Sequence, residues 1–238
     1  MSSHVTALDK RLIRLAAKVA ERMDHTAAAL QALASEAPVA EPSAAPDFDY
    51  FVEATRRLLE GRRDRDIMAG AGYAVDAEVQ GCAPAMIWWV HRGGNIVERS
   101  HSVDPEADSF YDYASLRWFK APKSRRVPTL SGPFIDTWGS DDYTVTVSVP
   151  VIFDGTSCGV LAIDVDVRRF IDTLAADLRK IAAPVALVNE ADRVIVSTSH
   201  SLSTGLPINP RHRRNHPAEE MTRHPVADYG WSVVLLPD

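Results

Sequence analysis

Two stretches near the N-terminus have the periodicity of amphipathic helices. Between residues 5 and 34, apolar side chains recur at spacings of three and four with lysines and arginines between them, which predicts a long helix. Its apolar stripe either packs on the body of the protein or pairs with a second copy of itself, so a homodimer through this helix is one hypothesis. Three prolines at 36–46 indicate a linker, and a second helix is predicted over about Phe48–Arg65.

From residue 84 the hydrophobic period shortens to that of β-strands. Residues 85–91 and 96–103 flank the turn Gly93-Gly94-Asn95, which predicts a hairpin. The aromatic-rich segment Phe110–Phe119 is predicted to be helical, and Arg168–Ile181 to be an amphipathic helix. The other predicted strands are 129–136, 143–153, 158–167, 185–189, 194–199 and 231–236.

The order of these elements predicts an α+β protein built on antiparallel strands. We expect three parts: the first helix and linker at 1–46, a main domain at 47–182, and a smaller C-terminal β lobe at 183–238. A long helix on one face of an antiparallel sheet leaves the other face either wet or folded over into a pocket.

Alternation along strand 143–153 separates its valines from three hydroxyl side chains, Thr144, Thr146 and Ser148. Strand 158–167 likewise has an aliphatic face and a face that carries Asp164 and Asp166. Because a two-residue Asp-Gly turn joins the strands, their hairpin has one aliphatic face and one polar face.

This polar face allows two interpretations: it is washed by solvent, or it is the floor of a pocket whose carboxylate meets a ligand cation. The aromatic residues that precede it are numerous enough to wall a small-molecule site, which favours the pocket. They are Trp88, Trp89, Phe110, Tyr111, Tyr113, Trp118, Phe119 and Phe134. Asp164 and Asp166 also form the carboxylate pair on which an enzyme hypothesis would rest.

The composition is that of a soluble globular protein, with 46% apolar and 24% charged residues. The net charge of −6 gives no general attraction to nucleic acid, and the basic cluster Arg211–Arg214 lies in a predicted loop. The sequence has no long apolar run, and its charged N-terminus lacks the apolar core of a secretion signal. We therefore expect a cytoplasmic protein with no membrane or nucleic-acid partner, and with Cys82 and Cys158 as core residues.

Sequence motifs for catalysis are absent. The chain has no glycine-rich nucleotide loop, no His-Glu-x-x-His pattern and no Gly-x-Ser-x-Gly elbow. His212, His216 and His224 fall in one predicted loop, but without carboxylates or cysteines at helix-turn spacing they indicate a solvated loop. We therefore predict no catalytic residue, no metal and no cofactor.

The segment Tyr111–Val167 resembles a Cache domain, the PAS-like sensor module of chemoreceptors and sensor kinases. Its motifs follow the family order: Arg117–Pro122 (RWFKAP), Gly132–Asp136 (GPFID), Thr146–Val151 (TVSVPV) and Gly159–Val165 (GVLAIDV). The tail is similar to the second lobe of double Cache domains, so the resemblance covers roughly residues 48–238. It implies a PAS-like antiparallel sheet with long N-terminal helices and a smaller C-terminal β lobe.

The resemblance also implies site residues. In members that bind amino acids, a Tyr, an Arg and a Trp of the helix hold the ligand carboxylate, and the Asp of the last motif binds the ammonium group. Carried over to this sequence, these contacts fall on Tyr111, Trp118 and Asp164, with Phe119 where a Tyr is common. The strand pattern adds Thr146 as a neighbour that holds Asp164.

Two positions depart from the family pattern. Leu116 stands where the family has its carboxylate-binding Arg, with Arg117 one place away, and Phe134 replaces a Tyr. The partner for a cation is intact, so an amine is as good a candidate ligand as an amino acid. Trp89 joins the site if its side of the first hairpin faces inward.

The expected function is that of a non-catalytic bacterial sensor for a small cationic or zwitterionic metabolite, an amino acid or an amine. The resemblance is to stand-alone cytoplasmic Cache proteins, which implies that the signal passes to a separate regulatory partner. The alternative is a protein-interaction module whose pocket is filled by its own aromatic side chains and binds no ligand.

Overall fold

The computed structural model describes residues 6–38, 46–61, 67–79, 82–135, 143–208 and 221–237. The basic cluster at 211–214, with His212 and His216, lies outside these ranges. The chain forms two compact units. One contains Met1–Asp24, Gly132–Thr144 and Val167–Asp238, and the other contains His25–Ser131 and Val145–Asp166.

Two helices open the fold, as the periodicity predicts. Helix α1 spans Ala7–Glu36 and helix α2 spans Phe48–Glu60. The side chain of Asp47 caps α2 by accepting a hydrogen bond from the backbone N–H of Asp49. The helix ends at Glu60, and its C-cap Gly61 donates its N–H to the carbonyl of Arg57. The rest of the helix predicted to about Arg65 lies outside the described residues. Among the described residues, no helix is long and apolar enough to cross a membrane.

The main sheet has six strands in the spatial order β3-β2-β1-β6-β5-β4. Their bounds are Met68–Val75 (β1), Met86–Arg92 (β2), Asn95–Glu98 (β3), Thr129–Ile135 (β4), Tyr143–Phe153 (β5) and Thr156–Asp166 (β6). Strand β1 pairs antiparallel with β2 on one side and with β6 on the other. This order confirms the predicted α+β fold and its antiparallel sheet.

Strand β1 lies inside the main sheet, but the sequence pattern did not predict it. Its sequence, MAGAGYAV, consists mainly of Ala and Gly, which are depleted in strands. Seven of its eight residues are buried, so it carries no polar alternation. A strand covered on both faces has no period-2 signal to detect.

The aromatic segment after β3 is also different from its predicted form. A single 3-10 turn occupies Tyr113–Ser115, and helix α3 follows at Arg117–Arg125. The side chain of Asp112 caps the turn, and the extended backbone of Leu116 separates it from α3. The predicted helix at Phe110–Phe119 is therefore wrong in its placement.

The smaller C-terminal lobe has a four-stranded sheet in the order β8-β7-β10-β9. It follows helix α4 at Val167–Leu178, and its strands are Val185–Val188 (β7), Val194–Ser197 (β8), Arg223–Val226 (β9) and Trp231–Leu235 (β10). Strand β9 begins inside the predicted loop that contains His212, His216 and His224. Its short sequence, RHPV, contains a proline and only one buried residue, so it has no strand signature.

The apolar stripe of α1 is buried within the chain. Leu12, Val19 and Met23 have no exposed surface. In the same unit, Lys18 forms an ion pair with Asp177 of α4. The structure thus bears out packing on the body of the protein for this stripe. The homodimer through this helix stays a prediction.

Met23 and Ile13 offer a direct test of this packing. Met23→Ala should lower the free energy of unfolding by about 2–5 kcal/mol, because it leaves a cavity at a fully buried site. Ile13→Ala, at a position that is 46% exposed, should change it by less than about 1 kcal/mol. Urea unfolding of both variants measures the difference, and equal losses would contradict the packing.

Candidate functional site

The register of the central strands assigns side chains to the two faces of the main sheet. Gly70 of β1 lies between Val90 of β2 and Asp164 of β6. Paired residues of adjacent strands project to the same face, so these three positions share one face. We call it the Asp164 face.

The next row of the Asp164 face contains Trp88 of β2, Gly72 of β1 and Ala162 of β6. Between the Gly70 row and the Gly72 row lies the row of Trp89, Ala71 and Ile163, whose side chains project to the opposite face. Adjacent tryptophans in one strand therefore belong to different sides of the sheet.

Two side-chain donors hold the carboxylate of Asp164. The indole Nε1–H of Trp88 donates to Oδ2 at 3.1 Å, and the hydroxyl of Thr146 donates to Oδ1 at 2.7 Å. Asp164 itself is half-buried, whereas Thr146 and its neighbour Ser148 are fully buried. The polar face is thus covered, which contradicts the solvent-washed interpretation. The two hydrogen bonds fix the plane of the carboxylate.

Two glycines of β1 make the contact between Trp88 and Asp164 sterically feasible. A Cβ atom at Gly72 would lie 2.4 Å from Cε3 of Trp88, and one at Gly70 would lie 3.2 Å from its Nε1. The indole therefore rests on the backbone of β1 and reaches across that strand to β6. Any side chain at Gly72 would occupy the space that the indole of Trp88 fills.

An aromatic cluster covers this indole. The rings of Trp88 and Trp118 lie 5.4 Å apart, and Phe119 makes edge contacts with both Trp118 and Tyr113. The buried hydroxyl of Tyr113 donates to the carbonyl of Val75 at 2.8 Å, which ties the cluster to the end of β1. Desolvation by burial raises the pKa of Tyr113 above its usual value.

Helix α3 presents Trp118 and Phe119 to the cluster and is anchored near its C-terminal end. Lys123 forms ion pairs with Asp76, at 2.8 Å, and with Glu78. Burial disfavours the charged form of Lys123, but its hydrogen bonds to the two carboxylates outweigh burial and raise its pKa. The hydrogen bond from Lys123 lowers the pKa of Glu78. These charges hold α3 against the chain that follows β1.

Several of the predicted site residues are brought together. Thr146 contacts Asp164, and Trp118 and Phe119 belong to the cluster above Trp88. Tyr111 is half-buried and packs against the same cluster.

Two other predicted contacts have a different outcome. Trp89 is wrong as a site residue: its Nε1–H donates to the carbonyl of Val52 in α2, and Arg56 lies over its ring, on the opposite face. Phe134 lies on β4 and is exposed. Its role as a ligand contact stays a prediction.

The position that the resemblance assigns to an arginine is apolar in the structure. Leu116 packs against the aromatic cluster, whereas the side chain of Arg117 is exposed at the start of α3. A carboxylate-binding group is therefore missing from this helix position.

Sequence reasoning included Trp88 only among the aromatic residues that could wall the site, without a contact to Asp164, and it missed the two glycines beneath it. The Trp88-Trp89 pair shows that one indole faces each side, but without β1 the sequence does not decide which one faces Asp164. The spacing of Gly70 and Gly72, two residues apart, was the available signal, since glycines within a strand often mark a close approach.

Other chemistry finds little support in the described part of the chain. No group of three or more His, Cys, Asp or Glu residues there is arranged to hold a metal ion. Cys82 and Cys158 are free thiols, and burial raises the pKa of Cys158. His224 lies 3.6 Å from Asp9, in the other unit from Asp164.

Gly72→Ala tests the seat of Trp88. The new methyl group should displace the indole and destabilise the fold by about 1–3 kcal/mol, and it should change the near-UV circular dichroism of the tryptophans. The control is Gly61→Ala, where a Cβ atom meets only the carbonyl of Arg57 at 3.5 Å. If both variants show the wild-type spectrum and stability, Trp88 does not rest on Gly72.

Comparisons with known proteins agree with this architecture. Residues 64–172, which include β1 and Asp164, match the profile of the methyl-accepting chemotaxis protein-like first PDC sensor domain. A search of curated sequences found no match.

Solved structures with the same fold cover nearly the whole chain. The ligand-binding domain of the Pseudomonas fluorescens chemoreceptor CtaA with L-valine is 16% identical with a TM-score of 0.65, and covers 97% of this chain and 95% of its own. The ligand-binding domain of the Pseudomonas aeruginosa PAO1 amino acid chemoreceptor PctC with GABA is 18% identical to this chain, with a TM-score of 0.62. The match covers 97% of this chain and 98% of the PctC domain. Methyl-accepting chemotaxis protein X is 14% identical to this chain, with a TM-score of 0.70. The match covers 97% of this chain and 96% of the other.

These findings support the resemblance to Cache, or PDC, sensor domains that the sequence motifs indicated. The chain has the fold of chemoreceptor ligand-binding domains, and its residues 64–172 match the first PDC sensor domain of methyl-accepting chemotaxis protein-like receptors.

Proposed function

We propose that this protein is a non-catalytic sensor that binds a small metabolite through its ammonium group, with Asp164 as the partner of that group. The observation that carries the proposal is the setting of the carboxylate. Asp164 is half-buried, is oriented by Trp88 and Thr146, and lies on the face of the sheet that the aromatic cluster covers. Such a carboxylate meets a cation at lower effective dielectric than a surface carboxylate does.

The aromatic side chains complement this charge. Trp88 and Trp118 offer apolar surface to the ligand's carbon atoms, and the faces of tryptophan rings attract cations. The chemoreceptor structures with the same fold contain L-valine, L-leucine, L-serine or GABA. All four molecules carry an ammonium group, which agrees with an acidic residue as the anchor of the site.

Asp164→Asn is the test of this proposal. Screening amines and amino acids by thermal shift first identifies a ligand, because a ligand that binds the native state raises the melting temperature. Calorimetry with that ligand should then show an affinity loss of more than about a hundredfold for Asp164→Asn, since removing one partner of a buried charge pair costs about 3–5 kcal/mol. The exposed Asp172→Asn is the control. Asp164→Asn binding within threefold of wild type contradicts the assignment.

One observation favours a second candidate function, a protein-interaction module without a ligand. Trp88 and Trp118 are each 5% exposed and Phe119 is 2% exposed, so the aromatic side chains fill much of the space that a ligand would use. This candidate predicts no thermal stabilisation by any amine or amino acid in the screen. A saturable ligand excludes it.

We also propose that the protein acts in the cytoplasm and passes its signal to a separate regulatory partner. Support comes from its two cysteines, both of which are free thiols, the state that a reducing cytoplasm maintains.

Reporter fusions to the chromosomal gene test the compartment. A C-terminal alkaline phosphatase should be inactive, because that enzyme requires disulfides that form outside the cytoplasm, and a C-terminal green fluorescent protein should fluoresce. The reverse pattern would show that the domain is exported.

A further inference from the structure

The C-terminal lobe contains a cavity, in the unit of the chain that does not include Asp164. Its volume is about 190 Å³. Five apolar residues and two serines of the described chain line it: Pro184, Ser199, Ser201, Leu202, Ile208, Leu236 and Pro237. All of them belong to the same unit, so the cavity is a feature of the lobe itself.

One end of the lobe's sheet forms a wall of this cavity. Ala186 of β7 pairs with Ser197 of β8, so the register places Ser199 beside Pro184, two residues further along. On the other side, Pro184 accepts a hydrogen bond from the backbone N–H of Leu236 at 2.8 Å. Because paired residues project to the same face of a sheet, Ser199, Pro184 and Leu236 form one row.

The loop after β8 covers this row. Its residues Leu202 and Ile208 pack in one hydrophobic cluster with Leu236. Gly205 of the same loop donates its backbone N–H to the carbonyl of Val194 in β8 at 2.8 Å, which holds the loop on the sheet. Packed side chains and hydrogen-bonded backbone thus bound the cavity, so it is preformed, as small-molecule sites usually are.

The two serines supply the polar part of the lining. The hydroxyl oxygens of Ser199 and Ser201 lie 2.9 Å apart in a hydrogen bond in which either can be the donor. A hydroxyl donates one hydrogen bond and accepts up to two, so the serine that accepts in this pair keeps its own hydrogen for another partner. The pair can therefore donate one hydrogen bond to a ligand and accept one from it.

The lining favours a neutral and small ligand. None of the described residues that line the cavity carries a charge, and burying an ion without a partner costs far more than burying a neutral polar group. The volume equals that of about six water molecules, so a ligand of about six non-hydrogen atoms fits it.

We propose that this cavity is a second ligand site, which binds a small neutral alcohol with an aliphatic body. The aliphatic body contacts the leucine and isoleucine side chains of the lining, and the hydroxyl group exchanges hydrogen bonds with the serine pair. This ligand differs in charge from the ammonium compound proposed for Asp164, so the protein would respond to two chemically distinct inputs. The inference goes beyond the proposed function and does not depend on it.

The test uses compounds that each contain six non-hydrogen atoms but differ in charge. Cyclopentanol and 1-pentanol are neutral, cyclopentylamine is a cation and butyrate is an anion. Each compound is titrated into the whole chain while ¹H–¹³C spectra record the methyl signals of Leu202, Ile208 and Leu236, which single substitutions by Val assign.

Three variants separate the roles of the lining. Ser199→Ala/Ser201→Ala removes both hydroxyls, and Ser199→Leu fills the cavity. Ser203→Ala is the matched control, because Ser203 is an exposed serine of the same loop and does not line the cavity. Melting temperatures check that each variant is folded.

We expect the two alcohols to move the three methyl signals and to saturate at millimolar concentration, as suits ligands of this size. Cyclopentylamine and butyrate at the same concentrations should leave these signals in place. The double alanine variant should bind cyclopentanol about threefold or more weakly, in line with the loss of a hydrogen bond. Ser199→Leu should abolish the binding, and Ser203→Ala should bind as wild type does.

Three results would overturn the inference. They are alcohol shifts that do not saturate, charged compounds that bind at these methyl groups as tightly as the alcohols, and a double alanine variant with the affinity of the wild type. Each of them leaves the proposed function intact, because Asp164 and Trp88 belong to the other unit.

Discussion

The hydrogen bond from Trp88 to Asp164 depends on the absence of side chains at Gly70 and Gly72. An indole on β2 reaches a carboxylate on β6 only if the intervening strand has no side chains in its path. Strand β1 has none at Gly70 and Gly72. The tilted contact between the rings of Trp118 and Trp88, and with it the placement of α3, follows from that position. The absence of side chains at these two positions thus sets the chemistry of the face.

Helix α3 is held from two sides, and the two contacts differ in kind. Trp118 and Phe119 pack into an aromatic cluster, which is strong but non-directional, whereas Lys123 pairs with Asp76 in a directional contact. A ligand bound to Asp164 would perturb the aromatic packing of Trp118 and Phe119 and leave the ion pair of Lys123 with Asp76 in place. Helix α3 is therefore the element on which binding would act first.

Much of this arrangement is readable from the sequence where a strand has one polar face. The alternation of Thr146 and Ser148 with valines, together with the Asp-Gly turn, predicted strands β5 and β6 and the face that carries Asp164. Strand β1 escaped prediction because a strand buried on both faces and rich in Gly and Ala has neither alternation nor propensity. Without β1 the register was unknown, so Trp89 was taken in place of Trp88.

The tryptophan indole signals in a ¹H–¹⁵N spectrum test the central claim, that the ligand binds on the Asp164 face. Trp88 and Trp89 are adjacent in sequence and lie on opposite faces, so each serves as a control for the other once Trp88→Phe and Trp89→Phe assign their signals. During titration with a ligand found by thermal shift, the signal of Trp88 should move and saturate while that of Trp89 stays in place. Movement of the Trp89 signal alone, or of neither, would contradict the account.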